Sequence, residues 1–168
     1  MKYYAKAIDI HGRQLDLEVE GKGYLICNNM NLVSLESNAK FVNCHNNNLT
    51  SLKLPNAKVV YCENNNLKSL KLPNATNVYC DNNQLTSLDL PNVIEVYCHN
   101  NNLTSLVKNC GNEKRTIWSQ KIDKIIYTYI GCGRFTLHEA IESINKKYTG
   151  KDAEDYINKV KLSQSLVD

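Results

Sequence analysis

Between residues 22 and 107 the apolar positions recur every 18 residues, and not with the period of two of a lone strand or the 3.6 of a helix. Cys44, Cys62, Cys80 and Cys98 mark the period, each with a valine two residues before it and a leucine five residues after it. With Ala39, Ala57, Ala75 and Val93 as the first positions of successive copies, the predicted inward set is easily read. It comprises position four (Val42, Val60, Val78, Val96), the cysteines at six, eleven (Leu49, Leu67, Leu85, Leu103) and fourteen (Leu52, Leu70, Leu88, Leu106). Leu54, Leu72 and Leu90 at sixteen join it. Cys27 heads a weaker copy, 17 residues before Cys44, because Glu36-Ser37-Asn38 stands where the next copy has Lys53-Leu54-Pro55-Asn56. Such a unit is too short for a helix pair and fits one strand plus an extended or polyproline-like return, with Pro55, Pro73 and Pro91 where no ladder N–H is needed. One copy cannot bury its stripe alone, so the copies must stack, strand on strand, about 4.8 Å apart.

The flanks follow other rules. Residues 2–10 and 13–20 alternate around His11-Gly12 and predict a β-hairpin covering the open edge of the first coil. After residue 108 the segments 115–118 and 124–130 read as strands. Thr136-Leu137-His138-Glu139 is a capping box opening a helix that buries Leu137, Ala140, Ile141 and Ile144 and stops near Gly150. A second helix is predicted near 152–163, with Ala153, Tyr156, Ile157 and Val160 on one face. The expected fold class is α+β: a hairpin cap (1–21), a parallel β-solenoid of five coils (22–107) and a small α/β module (108–168).

Asparagine sharpens the picture, since 22 of the 24 lie between Asn28 and Asn112. Asn47, Asn65, Asn83 and Asn101, at position nine, are expected to turn inward and satisfy loop backbone groups of their own and adjacent coils. Met30 fills that place in the first copy, so the ladder should end there. The seven cysteines are read chiefly as small buried core residues. An odd count and a reducing compartment speak against a disulfide framework, and no pair has zinc spacing. The states of Cys110 and Cys132 stay open.

These residues carry a resemblance. Ala57-x-x-Val60-x-Cys62-x-x-Asn65-x-Leu67-x-x-Leu70 resembles the leucine-rich repeat phrase. The Cys-x-Asn-Asn-x-Leu-Thr-Ser-Leu wording is similar to short Asn-rich repeats of bacteriophage and bacterial proteins. Ile130-Gly131-Cys132-Gly133-Arg134-Phe135-Thr136-Leu137-His138-Glu139-Ala140 more weakly resembles a module that follows such repeats in phage proteins. The resemblance implies a viral protein made inside a bacterium.

Strand alternation puts positions three, five and seven on the exposed, concave face. Tyr61, Tyr79 and Tyr97 then form a row, with Asn43 and Phe41 in the preceding copy. Glu63 and Asp81 form an acidic pair flanked by His45 and His99. Tyrosine offers an apolar face with a polar tip and is enriched in interfaces, although aromatic ladders also stabilise stacked sheets without any ligand. His45 and His99 are three coils apart, too far to share a metal. A net charge of +3 and nearly balanced segments disfavour nucleic acid. No apolar run is long enough to cross a bilayer, and no leader-like h-region opens the chain, so a cytoplasmic location is expected. Cys132 and His138 invite a nucleophile reading, but the tail is small for a catalytic domain. The expectation is a non-enzymatic protein-binding module without cofactor. It would inhibit a host defence or regulatory protein, as a monomer or as a homodimer through the C-terminal module. A structural or carbohydrate/adhesion repeat and a nucleic-acid-associated factor are the alternatives.

Overall fold

The computed structural model describes residues 2–103, 107–110, 115–122, 125–130 and 133–167. The chain divides into two compact units, Met1–Asn102 and Leu103–Asp168. The first opens with β1 (Ala5–Asp9) and β2 (Gln14–Asp16), followed by β3 (Tyr24–Ile26), β4 (Leu32–Ser37), β5 (Phe41–Asn43), β6 (Ser51–Lys53), β7 (Val59–Tyr61), β8 (Ser69–Lys71), β9 (Asn77–Tyr79), β10 (Ser87–Asp89) and β11 (Glu95–Tyr97). The odd-numbered strands from β3 to β11 form one five-stranded parallel sheet in chain order. Leu25, Val42, Val60, Val78 and Val96 are aligned from rung to rung. This is the stacked solenoid that the 18-residue period predicts.

The return path departs from expectation. It carries a second short strand per turn, with β4 paired to β6 and β8 to β10, all parallel. Stacking brings successive Ser-Leu-Lys/Asp segments to ladder distance, and extended backbone at that spacing pairs because its N–H and C=O groups need partners. The N-terminal hairpin forms, but β1 docks antiparallel on β4. It thus extends the return-side sheet rather than the edge of β3.

Positions one, four, six, eleven and sixteen are buried at every rung described, from Ala39 and Val42 through Cys98 and Leu103. Position fourteen is uneven: Leu70 is buried, Leu52 and Leu88 are only half-buried, and Leu106 lies outside the described residues. Three of the rungs end in a turn of Leu-Pro-Asn-Ala/Val type, at 54–57, 72–75 and 90–93. There Ala57 N donates to Leu54 O at 3.4 Å, and Ala75 N donates to Leu72 O at 3.3 Å. Proline suits the second place because its fixed φ matches the turn and it lacks only an N–H that the turn does not use. The asparagine beside it ties rungs together: Asn74 Nδ2 donates to Pro55 O at 2.8 Å and Asn92 Nδ2 to Pro73 O at 2.6 Å.

The position-nine ladder is present. Asn65 Nδ2 donates to Cys44 O and Cys62 O, both at 3.1 Å, and its Oδ1 accepts from Leu49 N at 2.9 Å. Asn83 and Asn101 repeat the scheme. Asn47 is the first member, accepting from Met30 N and Leu32 N at 3.0 Å, while the Met30 side chain is exposed. The preceding asparagines (Asn46, Asn64, Asn82, Asn100) have φ between 53° and 55°. That left-handed conformation is open to Asn at lower cost than to most residues. Their side chains join across rungs, Asn64 Nδ2 to Asn46 Oδ1 and Asn100 Nδ2 to Asn82 Oδ1, both at 2.7 Å.

The second unit comprises β12 (Val107–Cys110), β13 (Arg115–Ile122), β14 (Ile125–Ile130), β15 (Gly133–Phe135), α1 (Leu137–Lys147) and α2 (Gly150–Ser165). The strands form an antiparallel sheet in chain order. Its core gathers Ile117, Ala140, Ile144, Ala153, Tyr156 and Val160. The capping box forms, with Thr136 N donating to Glu139 Oε2 at 2.8 Å and Glu139 N to Thr136 Oγ1 at 3.4 Å. Leu137 is exposed rather than buried because it sits at the first position of α1. Gly150, with φ of +59°, opens α2 instead of ending α1, which stops at Lys147. Buried hydroxyls tie β13, β14 and α2 together: Ser119 Oγ lies 2.9 Å from both Thr128 Oγ1 and Ser163 Oγ.

Candidate binding face

Positions three, five and seven of the five-stranded sheet point away from the core, as alternation requires. Tyr61 and Tyr79 stack with centroids 4.4 Å apart and an interplanar angle of 2°, and Tyr79 and Tyr97 follow at 5.1 Å and 9°. The row continues in a direction that the repeat positions conceal. Phe41, at position three of its rung, meets Tyr61, at position five of the next, with centroids 5.6 Å apart. Tyr24 meets Phe41 at 5.2 Å. Five aromatic rings therefore cross all five strands. Tyr24 is missing from the residues picked from sequence, although it occupies the same repeat position as Phe41, and that alignment was the available clue. It is half exposed, and Ile26 beside it is 60% exposed.

Polar groups fix the flanks of the row. Glu95 Oε2 accepts from Asn77 Nδ2 at 2.8 Å and from Tyr79 OH at 3.2 Å. Hydrogen bonds from Asn77 and Tyr97 hold the Glu95 carboxyl below its ordinary value. Burial, helped by Glu95, pushes the Tyr79 phenol up to about 12, so that it remains a donor. Asp81 Oδ1 accepts from His99 N at 2.5 Å. Asn43 Oδ1 lies 2.6 Å from His45 Nδ1. Glu63 is half-buried, and its Oε2 is shielded from water without a hydrogen-bond partner. Burial pushes its carboxyl up, and the pull of its own backbone N–H and of His45 does not reverse this.

All nine residues picked from sequence (Phe41, Asn43, His45, Tyr61, Glu63, Tyr79, Asp81, Tyr97, His99) sit at outward positions of consecutive rungs. His45 and His99 stand on the second and fifth rungs. Among the described residues, no three His, Cys, Asp or Glu side chains are grouped to hold a metal ion. The five ladder cysteines are buried and free. Burial raises the thiols of Cys27 and Cys98 to about 12 and those between them higher still. No helix is long and apolar enough to cross a membrane among the described residues. In the second unit His138 is exposed at the start of α1, 3.4 Å from Glu142. Cys132 and the side chain of Cys110 lie outside the described residues.

In comparisons with known proteins, no family model matches the chain, and no match emerges among curated proteins or solved structures.

Proposed function

We propose that this chain is a non-enzymatic binding protein that captures a partner protein on the outward face of its five-stranded sheet. The observation that carries the reading is the unbroken row Tyr24, Phe41, Tyr61, Tyr79, Tyr97, a preorganised aromatic surface of the kind interfaces favour. Rigid rungs hold the rings, so little side-chain entropy is lost on docking. The same geometry supports a protein partner over a glycan. A sugar ring needs an open aromatic face, whereas Tyr61 and Tyr79 spend theirs on one another and offer edges. The likeness of the repeats to short leucine-rich repeats of phage and bacterial proteins supports a finer version. In it a phage-encoded inhibitor acts in the bacterial cytoplasm on a host defence or regulatory protein, and the second unit serves as a further contact or homodimer surface.

The test replaces Tyr61, Tyr79 and Tyr97 together with alanine. Capture of host proteins on the immobilised chain is then compared with wild type, and circular dichroism verifies folding. Loss of a specific captured protein is the expected result. Undiminished capture by the folded variant would remove the site from this face.

A further inference from the structure

The charges of the stack are segregated. None of the outward positions three, five and seven on the five rungs holds Lys or Arg. Three carboxylates occupy them, and all three lie on the last three rungs, around the tyrosine stack. Glu63 and Asp81 stand on one side of Tyr61 and Tyr79, and Glu95 stands on the other beside Tyr97. The solenoid lysines lie elsewhere: Lys53 and Lys71 on the return strands, paired with Glu36 and Asp89 at 2.9 Å, Lys40 and Lys58 at the corners of the second and third rungs, Lys22 at the start of the first rung, and Lys68 at position twelve of the third. At the corners of the next two rungs the corresponding residues are Thr76 and Ile94. The acidic patch therefore has no lysine or arginine of its own at these outward positions, and among the described residues of that face only the imidazoles of His45 and His99 flank it.

Two of the carboxylates are held in place. Asp81 accepts from His99 N, and Glu95 accepts from Asn77 and Tyr79. The third is only partly satisfied, since Glu63 is half-buried and its Oε2 is shielded from solvent without a hydrogen-bond donor, while its own backbone N–H and His45 supply the remaining pull. A partly buried carboxylate oxygen without a hydrogen-bond donor is costly. A cation brought to this face would remove that cost on arrival.

Resting on the binding-protein reading above, we infer that the occupant of this face is a basic segment of a partner protein. Its Lys or Arg head groups meet Glu63, Asp81 and Glu95, and their aliphatic stems lie along the edges of Tyr61, Tyr79 and Tyr97. Long cationic side chains combine an apolar stem with a charged tip, and guanidinium groups match carboxylates with paired hydrogen bonds. The polyanionic backbone of a nucleic acid meets like charge here instead.

The experiment titrates the full chain with a labelled peptide of about eight residues, alternating arginine and serine and long enough to cross the patch. A glutamate-serine peptide and a single-stranded oligonucleotide serve as counter-probes. Saturable binding of the arginine peptide alone is expected, weakening by about tenfold or more between about 50 mM and about 300 mM salt. The folded variant Glu63→Gln/Asp81→Asn/Glu95→Gln, isosteric at every position, should lose about tenfold or more in affinity at the lower salt. No binding of the arginine peptide, equal binding of a counter-probe, or an unchanged amide variant would overturn the inference. So would concentration-dependent dimerisation that the tyrosine variant abolishes, which would give the face to a second copy. The two readings fail separately. If the tyrosine variant loses its captured protein while the amide variant retains it, a partner docks on this face but its chemistry is not cationic.

Discussion

At the scale of single residues, adjacent asparagines in each rung do different work. Asn65 is buried, and its amide satisfies backbone groups on two rungs. Asn64, one residue earlier, is exposed and is needed for its backbone, with φ of 54°. The two sites should therefore respond differently to substitution. Asn65→Ala orphans Leu49 N and removes the donors to Cys44 O and Cys62 O, an expected loss of about 3 kcal/mol. Asn64→Ala should cost about 1–2 kcal/mol through the left-handed backbone, and Asn64→Gly less, since glycine adopts it freely. Urea midpoints at a constant denaturant slope check the order Asn65→Ala, Asn64→Ala, Asn64→Gly. The inward role of position nine was legible because an amide at a fixed place in an apolar frame must find partners. The role of position eight was not, because a positive φ leaves no mark on the apolar pattern.

Among the elements, the hairpin shows what tertiary context adds to a correct local reading. Alternation around His11-Gly12 foretells the strands, but not that β1 chooses β4 over β3. That choice depends on the return segment being a strand, and nothing in an isolated Val-Ser-Leu-Glu stretch requires it. Asp9 closes the turn, accepting from His11 N and Arg13 N at 2.9 Å and from Arg13 Nε at 2.7 Å. Burial raises its carboxyl, but these bonds and the guanidinium outweigh that, and the net shift is downward. A depressed folded-state value means the contribution is complete above the unfolded value near 4 and is lost as pH falls through the folded one. Acid titration of stability below about pH 4 should be shallower in Asp9→Asn than in wild type. Equal slopes would remove the turn from the account. The same limit applies to Gly150: a glycine after a helical pattern marks a boundary, but sequence does not say which helix it belongs to.

Over the whole molecule, the period of 18 made the inside of the stack readable almost residue by residue, because one rung repeats the next. The aromatic row was only partly readable, because its path shifts from position three to position five between Phe41 and Tyr61, and that crossing exists only once rungs are placed side by side. The sealed interior has a chemical signature. The five ladder thiols, raised by burial, should resist a bulky alkylating reagent in the native chain and react on unfolding. Mass analysis of peptides containing Cys27, Cys44, Cys62, Cys80 and Cys98 checks this, and prompt native labelling of Cys62 would mean that the core is open. The asparagine ladder also has a direction, since each Oδ1 accepts from the rung before it. A new member therefore asks nothing of its neighbours beyond what they already offer. Copying residues 57–74 in tandem should slide in like an added bead, lengthening the molecule by one increment of about 4.8 Å and setting one more phenol in line. The reach of this surface is then a matter of gene duplication, adjustable in whole steps without redesign of any contact.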